Sequence, residues 1–301
     1  MKKVFRKLIV LLGVLALLAG FRGILPGIFP SQGFKGGLTL SDSYLELEGL
    51  ASENAIVVRR STGEILMGRQ PMAKIHPASM TKVMTALIGL EQGGSLSRRV
   101  EISQDIVDYC RAQGLSMSGF EAGDRPRLRD LVYGILLESG AESSLALSRE
   151  LAGSQEGFVH LMNERARELG MEDTHFSNVT GMTDLENYTS PRDMALLFNQ
   201  AAANPKFRKI ARTKDYRPRG SDHTIANNLF FKRNVLDIKK DYIQYGKTGY
   251  TEMAGLCLVS LGQLEGEEYI VVTAKAKGNP HSQQYNLMDT EKIYEKLKEG
   301  L

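Results

Sequence analysis

GLCLVSL at Gly255–Leu261 and YIVVTA at Tyr269–Ala274 decide how this chain folds. Both are apolar runs rich in β-branched residues, and Gly262 and Gly266 lie between them, so together they predict a hairpin within a sheet. A matching pair stands at the other end of the folded region. Ala55–Arg60 (AIVVRR) predicts a strand, Ser61-Thr62-Gly63 a turn, and Glu64–Gly68 the returning strand. Between the two pairs the pattern changes to apolar residues recurring at three and four. That period predicts helices over Leu128–Glu138, Glu142–Ala152, Phe158–Leu169 and Pro191–Ala203. Another runs from the His76-Pro77-Ala78-Ser79 entry to Glu91 and stops at Gly93-Gly94. Asp289–Leu301 predicts a last, amphipathic helix. The economical architecture is mixed α/β: one antiparallel sheet built from both ends of the domain and flanked by helices, with a mainly helical lobe inserted over about residues 92–200.

The chain has 301 residues, 42% hydrophobic and 24% charged, enough for a large core as one big domain or two intimate ones. Its net charge of +3 is partly spent in the first seven residues. No basic stripe alternates with aromatics, which argues against a nucleic-acid partner. Cys110 and Cys257 cannot build a disulfide framework and show no C-x-x-C spacing. They read as two packed thiols, with a single bridge left open. At the N-terminus Lys2, Lys3, Arg6 and Lys7 precede an apolar run from Leu8 to Phe21, which Arg22 ends. Residues 1–22 therefore read as a secretory signal peptide or an uncleaved signal anchor, placing the working domain outside the cytoplasm and against the cell membrane. Residues 23–50 carry scattered Gly, Pro and Ser and read as a linker. The catalytic domain is expected over 51–301, with no further β-domain after the last strands.

Three short stretches carry chemistry. Ser79-Met80-Thr81-Lys82 is the one S-x-x-K tetrad in the chain. On a helix, residues three apart share a face, so hydroxyl and amine can meet. A serine needs an adjacent base, and a lysine becomes one when burial or a second cation lowers its pKa. Lys247-Thr248-Gly249 opens the strand-rich end, where Gly246 and Gly249 let another backbone approach. Lys247 supplies charge, and the Thr248 hydroxyl can hold a carboxylate. Ser139-Gly140-Ala141 sits between two predicted helices and offers a second hydroxyl. Taken singly, each has a plain structural reading: a capping serine, a solvated lysine, a strand start.

Their order removes that ambiguity. S-x-x-K, then S-x-x, then K-T-G is the arrangement of penicillin-binding proteins and class A β-lactamases. The chain resembles the serine D-alanyl-D-alanine carboxypeptidases, the low-molecular-mass penicillin-binding proteins, over about Ala55–Ala274. The likeness extends to HPASMTKVMTALIGLE (76–91), LRDLVYGILLESGAESSLALSRELAGS (128–154), FVHLMNERARELGMEDTHFSNVTGM (158–182) and YGKTGYTEMAGLCLVS (245–260).

This resemblance implies the β-lactamase/D,D-peptidase fold and a set of roles. Ser79 is the nucleophile, Lys82 the general base, and Ser139 the proton shuttle to the leaving amine. Lys247, Thr248, Gly249 and Tyr250 bind substrate, with the Ser79 and Tyr250 amides as oxyanion hole. The implied partners are peptidoglycan stem peptides and, as covalent inhibitors, β-lactams. No cofactor or metal is implied, and the five histidines show no H-E-x-x-H spacing.

Two departures stand out. Ala141 occupies the place of the family's asparagine, which allows a weakly active or purely binding relative as the alternative. Where the family has an arginine after the final strands, this chain offers Lys275, Lys277 and His281. A β-lactamase is disfavoured because no E-x-x-L-N run occurs, and a Ser-His-Asp hydrolase because no G-x-S-x-G elbow occurs. Asn178, Thr180 and Asp193 read as loop and helix-cap structure.

Overall fold

The computed structural model describes residues 37–236 and 241–300. The expected signal or anchor segment, residues 1–22, and the first part of the expected linker lie outside the described residues.

Strands β2 (Asn54–Arg59) and β3 (Glu64–Arg69) form the early hairpin. Strands β7 (Gly255–Leu264) and β8 (Glu267–Ala276) form the late one. β2 pairs antiparallel with β8, which welds the two ends of the domain into one sheet. β6 (Ile243–Thr251) pairs with β7 and forms one edge. β1 (Thr39–Glu46) forms the other, giving the order β1-β3-β2-β8-β7-β6.

Two expectations need correction here. Residues 39–46 were expected within the linker and instead form β1. This strand is largely exposed, so it needs no alternating apolar face and leaves no period-two signal in TLSDSYLE. The sheet is also not wholly antiparallel, because β1 runs parallel to β3. The topology requires it: β1 leads into β2 from the far side of β3, and β2 is antiparallel to β3.

The continuous apolar runs of β7 and β8 are explained by burial on both faces. Ile56, Val58, Val259, Leu261, Ile270 and Val272 face the helical lobe. Ala55, Val57, Leu258 and Val271 face the opposite way, against Leu287, Ile293, Tyr294 and Leu297 of the C-terminal helix over Tyr285–Gly300. The lobe side begins with a 3-10 turn, Ala78–Thr81, running into α1 (Lys82–Gln92). Then come α2 (Gln104–Ala112), α3 (Leu128–Leu137), α4 (Ala141–Ala152) and α5 (Gln155–Glu168). They are followed by α6 (Pro191–Ala203) and α7 (Pro205–Ala211). A small ladder of β4 (Asp215–Tyr216) and β5 (Ile225–Ala226) leads to α8 (Asn228–Val235). The C-terminal helix is then α9. α1 is buried along nearly its whole length, from Lys82 to Leu90, and is the central post of the lobe.

Cys110 on α2 and Cys257 on β7 are both buried and free. Among the described residues no helix is long and apolar enough to cross a membrane.

Candidate active site

The expected single helix over 76–91 starts differently from its reading, and the difference matters for the chemistry. Ser79 lies in the 3-10 turn and Lys82 at its junction with α1. Side chains three apart eclipse in a 3-10 turn, more closely than in an α-helix. The Lys82 ammonium nitrogen accordingly lies 3.1 Å from Ser79 Oγ. It also donates to the Thr180 carbonyl at 2.8 Å. Lys82 is only 3% exposed, and burial lowers its pKa to about 8, against an opposing pull from the Glu142 carboxylate. Ala78, just before the serine, holds φ +46, a strained value for a residue with a Cβ.

A loop over Asn178–Met182 fixes the far side of this pair. Asn178 Oδ1 accepts from the amides of Thr180, Gly181 and Met182 and from the Thr180 hydroxyl. That fan aims the Thr180 carbonyl at Lys82, while Thr85, one turn along α1, donates to the Val179 carbonyl at 2.8 Å. Gly181 takes φ +78, and a Cβ there would sit 1.8 Å from the Ala78 carbonyl oxygen. No other residue fits so close to the strained turn. Asn178 and Thr180, read from sequence as loop structure, thus also support the lysine. The N-x-T-G run is an Asx-turn signal, but sequence does not say which side chain the turn will meet.

β6 brings Lys247 to the same place. It follows Tyr245, which packs into the lobe core, at the period-two spacing that keeps both on one face. Lys247 is 2% exposed and donates to the Thr248 carbonyl at 2.9 Å. Burial, reinforced by the positive charges of Lys82 and Lys232, holds its pKa well below the usual lysine value. The close approach that Gly249 permits is to the chain's own Ser79 turn: a Cβ there would meet Ala78 Cβ and the Ser79 amide nitrogen, each at 3.0 Å. So Gly249, which precedes Tyr250, lies beside the Ser79 amide, which among the described residues has no acceptor. Thr248 and Tyr250 are both half-exposed on this edge strand.

Ser139 stands in the short loop between α3 and α4 with φ +69, a second strained position. Its Oγ is buried and has no hydrogen-bond partner. Ala141 is fully buried and begins α4, its amide donating to the Ser116 carbonyl. Glu142 is engaged by Ser118, from whose amide and hydroxyl it accepts at 2.7 and 2.6 Å. Burial raises its pKa, and its Oε2 is unpaired.

Of the positions where an arginine was expected, Lys275 is engaged elsewhere, paired with Glu53 at 3.0 Å. Lys277 and His281 are exposed. His76 Nδ1 lies 3.2 Å from the Asn187 carbonyl, and Asp193 accepts from the Asp173 amide and the Thr174 hydroxyl. Both are the structural roles expected of them. No group of three or more His, Cys, Asp or Glu among the described residues is placed to hold a metal.

Several known proteins resemble the chain in sequence and fold. The curated D-alanyl-D-alanine carboxypeptidase DacF of Bacillus subtilis is 32% identical over 212 residues, covering 69% of this chain and 53% of its own length. The D-alanyl-D-alanine endopeptidase of Pseudomonas aeruginosa is 31% identical over 213 residues, covering 70% of this chain and 66% of its own length. The chain thus spans between about half and two thirds of those relatives. The crystal structure of the Streptomyces K15 DD-transpeptidase superposes with TM-score 0.74 at 27% identity, covering 82% of this chain and 97% of that one. Penicillin binding protein 5 of Haemophilus influenzae shares the fold, with TM-score 0.72 at 23% identity over 82% of this chain and 71% of that one. The family model described as D-alanyl-D-alanine carboxypeptidase matches residues 43–278, and the chain belongs to that family.

Proposed function

We propose that this chain is a serine D,D-carboxypeptidase that removes the terminal D-alanine from peptidoglycan stem peptides through an acyl-enzyme on Ser79. The observation that carries the reading is the buried Lys82 amine, lowered to about 8 and 3.1 Å from Ser79 Oγ. A lysine with an ordinary pKa would be almost wholly protonated at neutral pH and useless as a base. One lowered to about 8 keeps a working fraction neutral.

Ser79 Oγ attacks the carbonyl carbon of the peptide bond between the two D-alanines, and its proton passes to Lys82 Nζ. The carbonyl oxygen becomes the oxyanion, toward the Ser79 and Tyr250 amides. The carbon–nitrogen bond breaks as the leaving amine takes a proton relayed through Ser139 Oγ. Water then attacks the ester, and Lys82 again accepts the proton. Lys247 stabilises the developing negative charge, and Thr248 and Gly249 on the edge strand align the substrate. A β-lactam would enter as the same acyl donor and remain on Ser79.

The enzyme works outside the cytoplasm. Residues 1–22 supply export as a signal or an anchor holding the enzyme to the cell membrane, which membrane fractionation of the full chain would test. The activity is tested by mass spectrometry. The chain should release D-alanine from a stem pentapeptide and gain one penicillin mass on the peptide bearing Ser79, and Ser79→Ala should do neither. Release of D-alanine by Ser79→Ala at the wild-type rate would overturn the reading.

A further inference from the structure

Among the described residues neither Lys247 nor Lys232 is paired with a carboxylate, and Lys232 is unused by the mechanism above. Lys232 lies on α8, whose two ends are pinned to the two sides of the Ser139–Lys247 region. Asn228 Nδ2 donates to the Glu138 carbonyl at 3.1 Å, immediately before Ser139. Arg233 donates to the Ile243 carbonyl at 2.8 Å, on the strand that carries Lys247. Residues four apart share a helix face, so Lys232 follows Asn228 along the face turned to the Ser139 loop. It is half-buried, yet it has no hydrogen-bond or ion-pair partner among the described residues. A surface lysine without a partner is ordinary. A half-buried one beside a second, fully buried ammonium is not, because each raises the cost of the other's charge. Burial lowers the pKa of Lys232, and its charge acts in turn on Lys247. In the loop that Asn228 ties to α8 at Glu138, the Ser139 hydroxyl is buried without a partner. Two ammonium groups that act on each other's charge and an orphan hydroxyl lie on the elements that α8 ties together, and among the described residues no carboxylate pairs with either ammonium, so a bound anion would serve all three.

We propose that Lys232 is a specificity-determining residue that, with Lys247, holds the terminal carboxylate of the acyl donor. The inference deepens the carboxypeptidase reading and rests on it. It also assigns to α8 the cation that Lys275, tied to Glu53, does not supply.

The test compares two ligands that differ only in that charge: a penicillin and its methyl ester. Second-order acylation of Ser79 is followed by intact mass in wild type, Lys232→Met, Lys232→Arg and Lys277→Met. Lys232→Met should slow reaction with the free acid roughly ten- to a hundredfold, the size of one lost charge-assisted contact, and leave the ester within about twofold. Lys232→Arg should keep most of the rate, and Lys277→Met should match wild type. With the stem pentapeptide the Lys232→Met loss should fall on KM more than on kcat. An equal loss on acid and ester would make Lys232 a packing residue and overturn the inference. So would an unchanged rate, or a loss that appears in Lys277→Met instead. A wild-type chain that reacts with neither ligand and releases no D-alanine would remove the carboxypeptidase reading itself. A reactive wild type with an indifferent Lys232→Met sinks the inference alone.

Discussion

The two walls of the cleft are built differently. On the first, the side chains around Ser79 are engaged: Lys82 by Ser79 and Thr180, Thr180 by Asn178, and α1 by Thr85 on Val179. On the second, the Ser139 hydroxyl, one Glu142 oxygen and the Lys232 ammonium are left over. Each buried polar atom left unpaired costs about 1–3 kcal/mol, so the second wall is the more expensive one to fold. The contrast teaches a division of labour. On the proposed mechanism the first wall generates the nucleophile and must be finished before substrate arrives. The second wall would then handle charge and protons that arrive only with substrate, keeping its donors free for them.

The largest break in this comparison should come from the first wall. Lys82→Met removes the base and should slow penicillin acylation by about 10²–10⁴-fold in stopped-flow measurement. On the proposed mechanism the neutral amine is the active form in wild type. The acylation rate should therefore rise about tenfold per pH unit on the acid side, and level off above about 8, where the lysine is deprotonated. Gly181→Ala attacks the same wall through its backbone. With φ +78 and the Ala78 carbonyl at 1.8 Å from the new Cβ, the loop must withdraw. About 3 kcal/mol or more of stability should be lost, seen as a fall in Tm on the order of 10 °C. Acylation should fall with it, because the Thr180 carbonyl leaves Lys82.

The first wall was also the more legible in sequence. S-x-x-K is local, and any helical turn brings its ends together, so Ser79 and Lys82 were readable as a pair. The late and early hairpins were readable because burial on both faces forces unbroken apolar runs. What sequence could not supply was contact between distant segments. Nothing in VTGM says that the Thr180 carbonyl will face an amine ninety-eight positions earlier. β1 escaped because an exposed edge strand needs no apolar alternation. α2, α7 and α8 were missed as short segments whose helicity depends on what they dock against. Lys232 was invisible for that reason: its meaning comes from α8 being pinned between Glu138 and Ile243.

Asn178→Ala sharpens the comparison by a smaller step. Its Oδ1 holds four donors, so the loop should lose about 1–3 kcal/mol in chemical denaturation. Acylation should fall roughly tenfold without a change of nucleophile. The smallest effect belongs to the second wall, in Glu142→Gln. The amide oxygen can still accept from Ser118, so the loop geometry is kept while the buried charge is removed. Two signs follow. Burial raises the folded pKa of Glu142 above its unfolded value, so the wild-type carboxyl costs stability as pH rises through and beyond that range. The variant should therefore match or exceed wild type in Tm at pH 8, and lose that advantage in acid. The carboxylate also pulls the Lys82 pKa upward, so its removal should move the acid limb of acylation to lower pH and raise the rate at pH 7 by about twofold. An acid limb that stays put would mean that Glu142 is already neutral in the folded enzyme. In that case Glu142 adds no negative charge to the second wall, and its cations face the substrate unopposed.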